Sequence, residues 1–439
     1  MKIKSFLLLL ASCLLSLATL AQSARSFIER DYNFAAGNYA LYPESDMPQL
    51  TPAPQGYTPF YISHYGRHGS RYLNDMKGFM IPYNTLHEAD SLGKLSATGK
   101  MALEEIRRYI ADAEGRWGDL SEKGKEQQRQ IAHRMLQNFP EVFSDGARVD
   151  AHSTIVTRCA LSMGSFILQM VKERADLKVS MFNSYSTMWY MNHQNKLRDA
   201  AASRQGQKAI DRFLMRRWHQ DKKMNSLFND TAYVRQHVDI QWLAYYLMKA
   251  SFTQQNTGRS GEPNRLQQFF SCDDYYLFWQ VENAWSYLQS GFCTLNGAKL
   301  PYLQSYLLGK IISEADSIVT NNLHGASLRF GHETVLLPLV CLMGINGYDL
   351  QTDNLEELEQ KGWWASSVFP MAGNLQIIFY RKEATDRQPL IKVLLNEKQA
   401  TLPLPSDLAP YYRWSDFRDY YLRKVAEGQS ALSSTATKR

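Results

Sequence analysis

Pro59-Phe60-Tyr61-Ile62-Ser63-His64-Tyr65-Gly66-Arg67-His68-Gly69-Ser70-Arg71 is the stretch that decides how the rest of the chain is understood. The apolar run Pro59 to Ser63 reads as a strand, and the glycine-containing turn His64 to Arg71 follows it. Two later stretches repeat the pattern. Ala147 to Ala151 leads through Thr154 to Arg158 and a helix over about 159–172, and Ala326 to Phe330 leads into Gly331, His332 and Glu333 before a helix over 335–343. Ligands of open α/β sheets sit beyond the carboxyl ends of strands, so three such ends can converge on one site.

Arg67-His68-Gly69-Ser70-Arg71 has the residue types needed to attack a phosphate monoester. Such an ester carries nearly two negative charges, which must be cancelled while a nucleophile is presented in line with the leaving oxygen. Arginine forks match phosphoryl oxygens bidentately and stay charged at any working pH. Gly69 lets the backbone pass close to the anion. An isolated Arg-His pair is ordinarily a solvated loop, whereas five residues placed after a strand are far rarer by chance.

The pentapeptide resembles the RHGxR signature of the histidine phosphatase superfamily. Arg158, in the frame Ser153-Thr154-x-x-x-Arg158, is similar to that family's additional phosphate-binding arginine, and Gly331-His332-Glu333-Thr334 resembles the distal His-Asp motif of the acid phosphatase and phytase branch, with Glu for Asp. The flanks Phe330 to Pro338 are similar to those of multiple inositol polyphosphate phosphatases, which use His-Ala-Glu; aligned without a gap, that Ala falls on Glu333 and that Glu on Thr334. The matches run in order from Tyr61 to Thr334. The resemblance implies that His68 attacks phosphorus and becomes a phosphohistidine. It implies that Arg67, Arg71, Arg158 and His332 hold the phosphoryl oxygens and that Glu333 protonates the leaving alcohol, Thr334 being no acid at working pH. It also implies an α/β fold with a mixed central sheet flanked by helices and an inserted α-helical cap, no cofactor and no metal, and a phosphate monoester substrate, with phytate or another inositol phosphate favoured. A broad acid phosphatase acting on sugar phosphates or nucleotides stays open. A phospho-ligand binder without turnover is disfavoured because both nucleophile and acid are kept. A phosphoglycerate-mutase-like transferase, normally compact and cytoplasmic, is disfavoured by the signal segment and the large insertion.

Composition agrees with a large folded protein: of 439 residues 44% are hydrophobic and 21% charged, enough to bury one large core or two smaller ones. Residues 1–21 read as a secretory signal, basic at Lys2 and Lys4, apolar from Phe6 to Leu20 and small at Thr19-Leu20-Ala21, so the expected location is periplasmic or extracellular. Leu10-Ala11-Ser12-Cys13 offers a rival reading as a lipid-attachment box, which the continuing apolar run disfavours. Loss of Lys2 and Lys4 lowers the formal charge from +6 to +4, and no run of basic residues suggests nucleic-acid binding. No later stretch is apolar enough to span a membrane. The expected division is 1–21 signal, 22–183 with 324–439 α/β core, and 184–323 helical cap, where Trp, Tyr, Gln and Asn rise.

Further expectations are a strand pair at 375–381 and 390–395, helices over 97–113 and 121–139, and a frayed tail from Ala426. Cys159 and Cys341 are expected as buried thiols, while Cys272 and Cys293 could form a bridge. His64 and His68 have the spacing of a helical zinc pair, yet Gly66 and Gly69 oppose a helix and no third ligand is suitably spaced. Gly93 with Gly99-Lys100 misses the phosphate-loop spacing, Gly258-Arg259-Ser260-Gly261-Glu262 lacks the last glycine of a serine-hydrolase elbow, and no Cys precedes an Arg by the six positions of cysteine phosphatases. His193 is a candidate substrate contact, though a surface or capped role is favoured; Lys196 and Arg198 read as a solvated face.

Overall fold

A computed structural model describes residues 23–44, 47–191, 204–217 and 222–436. The signal segment with Cys13, and His193, Lys196 and Arg198, lie outside the described residues. The centre is an eight-stranded sheet: β1 Thr58–Arg67, β2 Arg148–Ser153, β3 Lys178–Phe182, β4 Gly325–Gly331, β5 Asn374–Arg381, β6 Leu390–Leu395, β7 Lys398–Ala400 and β8 Tyr411–Arg413. Its order is β3-β2-β4-β1-β5-β6-β7, with β8 also on β6. β3, β2, β4 and β1 run parallel, while β5 reverses against β1 and β6 against β5. The sheet is thus mixed, as expected, and residues 375–381 and 390–395 are antiparallel neighbours. β3 is an addition; its half-exposed Lys-Val-Ser-Met-Phe lacks the apolar density that marks the inner strands.

Alternation along the strands feeds two separate cores. Tyr61, Tyr65, Ile377 and Phe379 face helices Ser305–Thr320, Glu333–Met343 and Trp414–Ala436. Ile62, Val149, Ala151, Leu328 and Phe330 face helices Glu122–Asn138 and Thr157–Glu173. A third core joins Ala24, Ile28 and Ala35 with Phe79, Leu86, Leu103 and Tyr109, and with Leu243, Leu247, Phe252, Phe278 and Trp279. The helical cover therefore draws on an N-terminal stretch and on helices Lys77–Ser91 and Ala97–Ala113 as well as on Ile240–Thr253 and Cys272–Ser290.

Two expectations are corrected. The tail does not fray at Ala426: the last helix continues through Ala436, because Tyr421, Val425 and Gly428 recur at helical spacing and are buried. Cys272 and Cys293 do not pair, and both are free thiols. Cys272 begins the 19-residue helix Cys272–Ser290 and Cys293 lies beyond its end. At 1.5 Å per residue their Cα atoms are roughly 30 Å apart, far beyond the ~7 Å limit of a disulfide.

Candidate active site

The parallel arrangement of β2, β4 and β1 places three reactive turns on one edge. Arg67 is registered with Gly331 across β1 and β4, and Ser153 with Phe330 across β2 and β4. The turns that leave these strands carry His68, Thr154 and His332, and the last two run into helices whose first turns hold Arg158 and Glu333.

His68 is fully buried, and its Nδ1 lies 2.9 Å from the Gly69 carbonyl oxygen. A carbonyl only accepts, so Nδ1 carries the proton and donates it, which leaves the Nε2 lone pair bare. Nε2 has no hydrogen-bond partner among the described residues. It lies 3.8 Å from Glu333 Oε2, and the same carboxylate oxygen is 3.2 Å from Arg67 Nε. The ring of His332 stands edge-on to that of His68, with centroids 5.7 Å apart.

Electrostatics set the protonation states. Burial first, then Arg67, Arg158 and Arg71, push the His68 imidazole well below its usual range, so it is neutral. Burial alone would raise the Glu333 carboxyl, but the surrounding positive charge, Arg67 foremost and Arg71 after it, holds it well below the usual carboxylate range. Burial brings Arg67 down to about 10 and also lowers Arg158. Arg71 and Arg158 each keep a buried Nε without a hydrogen-bond partner among the described residues, while the Nε of Arg67 is ion-paired with Glu333. Buried donors without a partner are expensive, and an anion is a ligand that would satisfy them.

His68, His332 and Glu333 offer ligand atoms within 4.8 Å of one another, a spacing a metal could use. Three guanidinium groups around them oppose a cation and favour an anion.

The arginines are themselves held. Arg67 donates from Nη1 to the Phe369 carbonyl at 2.6 Å and from Nη2 to the Asn38 carbonyl at 2.7 Å. Arg71 donates to the Tyr72 carbonyl at 2.9 Å, with its guanidinium 5.3 Å from the Tyr39 ring centre. The structure thus brings together all six residues singled out from the sequence.

It also adds residues that no motif marks. Gln127 accepts the Ser70 N–H at 2.8 Å, Gln128 donates to the Arg67 carbonyl at 3.0 Å, and Ser162 accepts the Gly69 N–H at 3.1 Å. Asn256, from the helical cover, accepts the Ser70 hydroxyl at 2.7 Å and donates to the Tyr39 carbonyl at 2.8 Å. The glutamines do carry a sequence signal: Gln127 and Gln128 precede Ile131, Ala132 and Met135 by helical steps, so they are polar residues on an apolar stripe. Gly69 and Gly124 face each other so closely that a Cβ on either would collide with the other segment's backbone.

The fold is shared with solved multiple inositol polyphosphate phosphatase and phytase structures. The chain is similar to human multiple inositol polyphosphate phosphatase 1, with 23% identity over 408 residues that cover 83% of this chain and 79% of that protein. Its fold is similar to that of Bifidobacterium longum multiple inositol polyphosphate phosphatase crystallised with inositol hexasulfate (TM-score 0.73, 17% identity, 88% of this chain and 96% of that one). The D. castellii phytase also shares it (TM-score 0.66, 13% identity, 90% of this chain and 85% of that one). No family model matches the sequence. These similarities bear out the resemblance read from the motifs.

Proposed function

We propose that this protein is a phosphatase that hydrolyses phosphate monoesters, inositol polyphosphates foremost, without a metal ion and through a phosphohistidine at His68. The observation that carries the reading is the bare, neutral Nε2 of His68, buried under the charges of Arg67, Arg158 and Arg71 and 3.8 Å from Glu333. The similarity to inositol polyphosphate phosphatases and a phytase supports the substrate class.

In the first displacement the Nε2 lone pair forms a bond to phosphorus as the P–O ester bond breaks. Arg67, Arg71, Arg158 and His332 hold the phosphoryl oxygens and take up the charge that develops on them. The leaving oxygen receives a proton from Glu333. That carboxyl is ionised in the ligand-free site, and the charge of a bound phosphoryl group raises its proton affinity. A monoester, with its second ionisation near pH 6, can supply that proton. In the second displacement Glu333 takes a proton from water as the water oxygen attacks phosphorus and the P–N bond breaks. Neutral His68 and inorganic phosphate result. Residues 184–323, with the helices before β2, wall the substrate cleft in this proposal. Export under the signal at 1–21 is part of it, and no described helix is long and apolar enough to cross a membrane.

The test is phosphate release from phytate and from p-nitrophenyl phosphate, with and without chelator, by wild type and His68→Ala. Chelator should change little, and His68→Ala should lose activity by about 10³-fold or more. Full activity in that variant would remove the proposed nucleophile.

A further inference from the structure

We propose that Asn256, a residue of the helical cover, is a positioning residue for Arg71, its one buried amide tying the turn that delivers this arginine to the segment its guanidinium rests on; this rests on the phosphatase reading above. Asn256 and Ser70 are both fully buried. Asn256 Nδ2 lies 2.8 Å from the Tyr39 carbonyl oxygen and 3.3 Å from that of Phe252. Carbonyls only accept, so the nitrogen stands on that side and Oδ1 faces the Ser70 hydroxyl, which donates to it at 2.7 Å. Both amide protons and the amide oxygen are thus committed, and the group cannot turn over without stranding a buried partner. Phe252 lies in the last turn of helix Ile240–Thr253, so the amide is anchored to the cover itself.

Each end of the amide bears on Arg71. Ser70 immediately precedes it in the turn. The Ser70 backbone is held from the core side, its N–H by Gln127 at 2.8 Å and its carbonyl by the Ser121 N–H at 2.9 Å, while its hydroxyl reaches the other way, to the cover. Tyr39 carries the ring over which the Arg71 guanidinium lies, 5.3 Å from the ring centre. Residues 38–40 form a strap held at three successive carbonyls. That of Asn38 accepts from Arg67, that of Tyr39 from Asn256 and, at 3.2 Å, from Gln255, and that of Ala40 from the Met371 N–H at 2.8 Å. Arg67 therefore fastens the strap to the start of the Arg-His-Gly-Ser-Arg turn, and Asn256 fastens it near the end, beside Arg71. With strap and turn at a fixed separation, the direction in which the Arg71 fork meets a phosphoryl oxygen is set before substrate arrives.

The test is a double-mutant cycle in the full-length protein, with p-nitrophenyl phosphate as substrate and inorganic phosphate as competitive inhibitor. Asn256→Leu keeps the volume and removes the bonds to Ser70 and Tyr39. It should lower kcat/KM by about 10-fold and raise the inhibition constant for phosphate by a similar factor. The loss should be the same for an alkyl phosphate, because Arg71 grips the phosphoryl group and not the leaving oxygen. Ser70→Ala, which cuts the amide from the turn and spares its bond to Tyr39, should fall between wild type and Asn256→Leu. In an Arg71→Ala background neither change should lower kcat/KM further, because the residue being positioned is gone. Equal losses in both backgrounds would overturn the proposal and leave Asn256 a packing residue, and so would wild-type phosphate inhibition in a folded Asn256→Leu. Should Asn256→Leu fail to fold by circular dichroism, Ser70→Ala decides the matter on the same cycle. Failure of the broader reading looks different: the wild type itself would then release no phosphate from either ester.

Discussion

Oε2 of Glu333 stands between two groups of opposite need, 3.2 Å from the Arg67 guanidinium and 3.8 Å from the bare Nε2 of His68. The carboxylate cancels part of the arginine charge and, in the proposed reaction, is the proton donor to the leaving group. Replacing Glu333 by Gln keeps the shape and removes the proton. Loss of kcat should be larger for an alkyl phosphate than for p-nitrophenyl phosphate, since a phenolate needs little protonation. Equal losses would take the donor role from Glu333.

The same substitution has a stability signature. The folded pKa of Glu333 is depressed, so its carboxylate contributes stability above its unfolded value near 4.3, and the contribution is lost as pH falls through the folded value. Glu333→Gln should therefore have a lower Tm than wild type at pH 7, and the two should converge as the solution is acidified. The cost should stay under the ~3–5 kcal/mol of a fully buried pair, because the side chain is 20% exposed. Equal Tm values at pH 7 would mean that Arg67 does not depend on this partner.

His64 supplies a second pH test away from the chemistry. Burial first and Arg329 second bring its imidazole down to about 3. It stays neutral in the folded protein while the unfolded chain takes up a proton below about 6.5. The unfolded state thus binds more protons between these values, and stability falls as pH drops through that window. His64→Phe, placed beside Phe166 and Phe330, should reduce that slope by about 1.4 kcal/mol per pH unit in urea titrations between pH 6 and 4. An unchanged slope would show that His64 takes up its proton in the folded protein as readily as in the unfolded chain.

Gly69 and Gly124 should be unable to carry even a methyl group. Gly124→Ala pushes its Cβ into the Ser70 backbone, two residues from the nucleophile. A loss of at least ~3 kcal/mol is expected, with kcat reduced in whatever fraction folds. Gln127→Leu is milder. It strands the Ser70 N–H and should cost about 1–3 kcal/mol, with a fall in kcat that Gln127→Glu partly restores because its oxygen can still accept. Wild-type rates in Gln127→Leu would show that the loop holds its shape without that bond.

Much of the fold and of the site is legible in the amino-acid sequence, and for physical reasons. β1 announces itself by an apolar run, as a strand covered on both faces does, and β2 and β4 by alternation of apolar with polar residues; their reactive ends stand out because charged residues directly after such stretches have no packing purpose. β3 is hidden because an edge strand needs no such run. The last helix looks like a loose end because Ser, Thr and Ala read as a polar tail until Val425 and Gly428 are seen against Ser305–Thr320 and its approach. The supporting residues are a different matter. Asn38 and Phe369 act through backbone carbonyls, which any residue possesses, so no side-chain pattern can reveal them.

That grip on Arg67 also orders events in time. One carbonyl comes from 29 positions before the arginine and the other from 302 positions after it. A ribosome has to deliver more than four fifths of the polypeptide before the second clasp exists, and the strand neighbour β5 arrives later still. A half-made chain, or one cut before Phe369, would carry the whole Arg-His-Gly-Ser-Arg turn yet hold its first arginine by the Asn38 carbonyl without the Phe369 one. The geometry of the Arg67 turn is in this way completed only when synthesis is nearly finished.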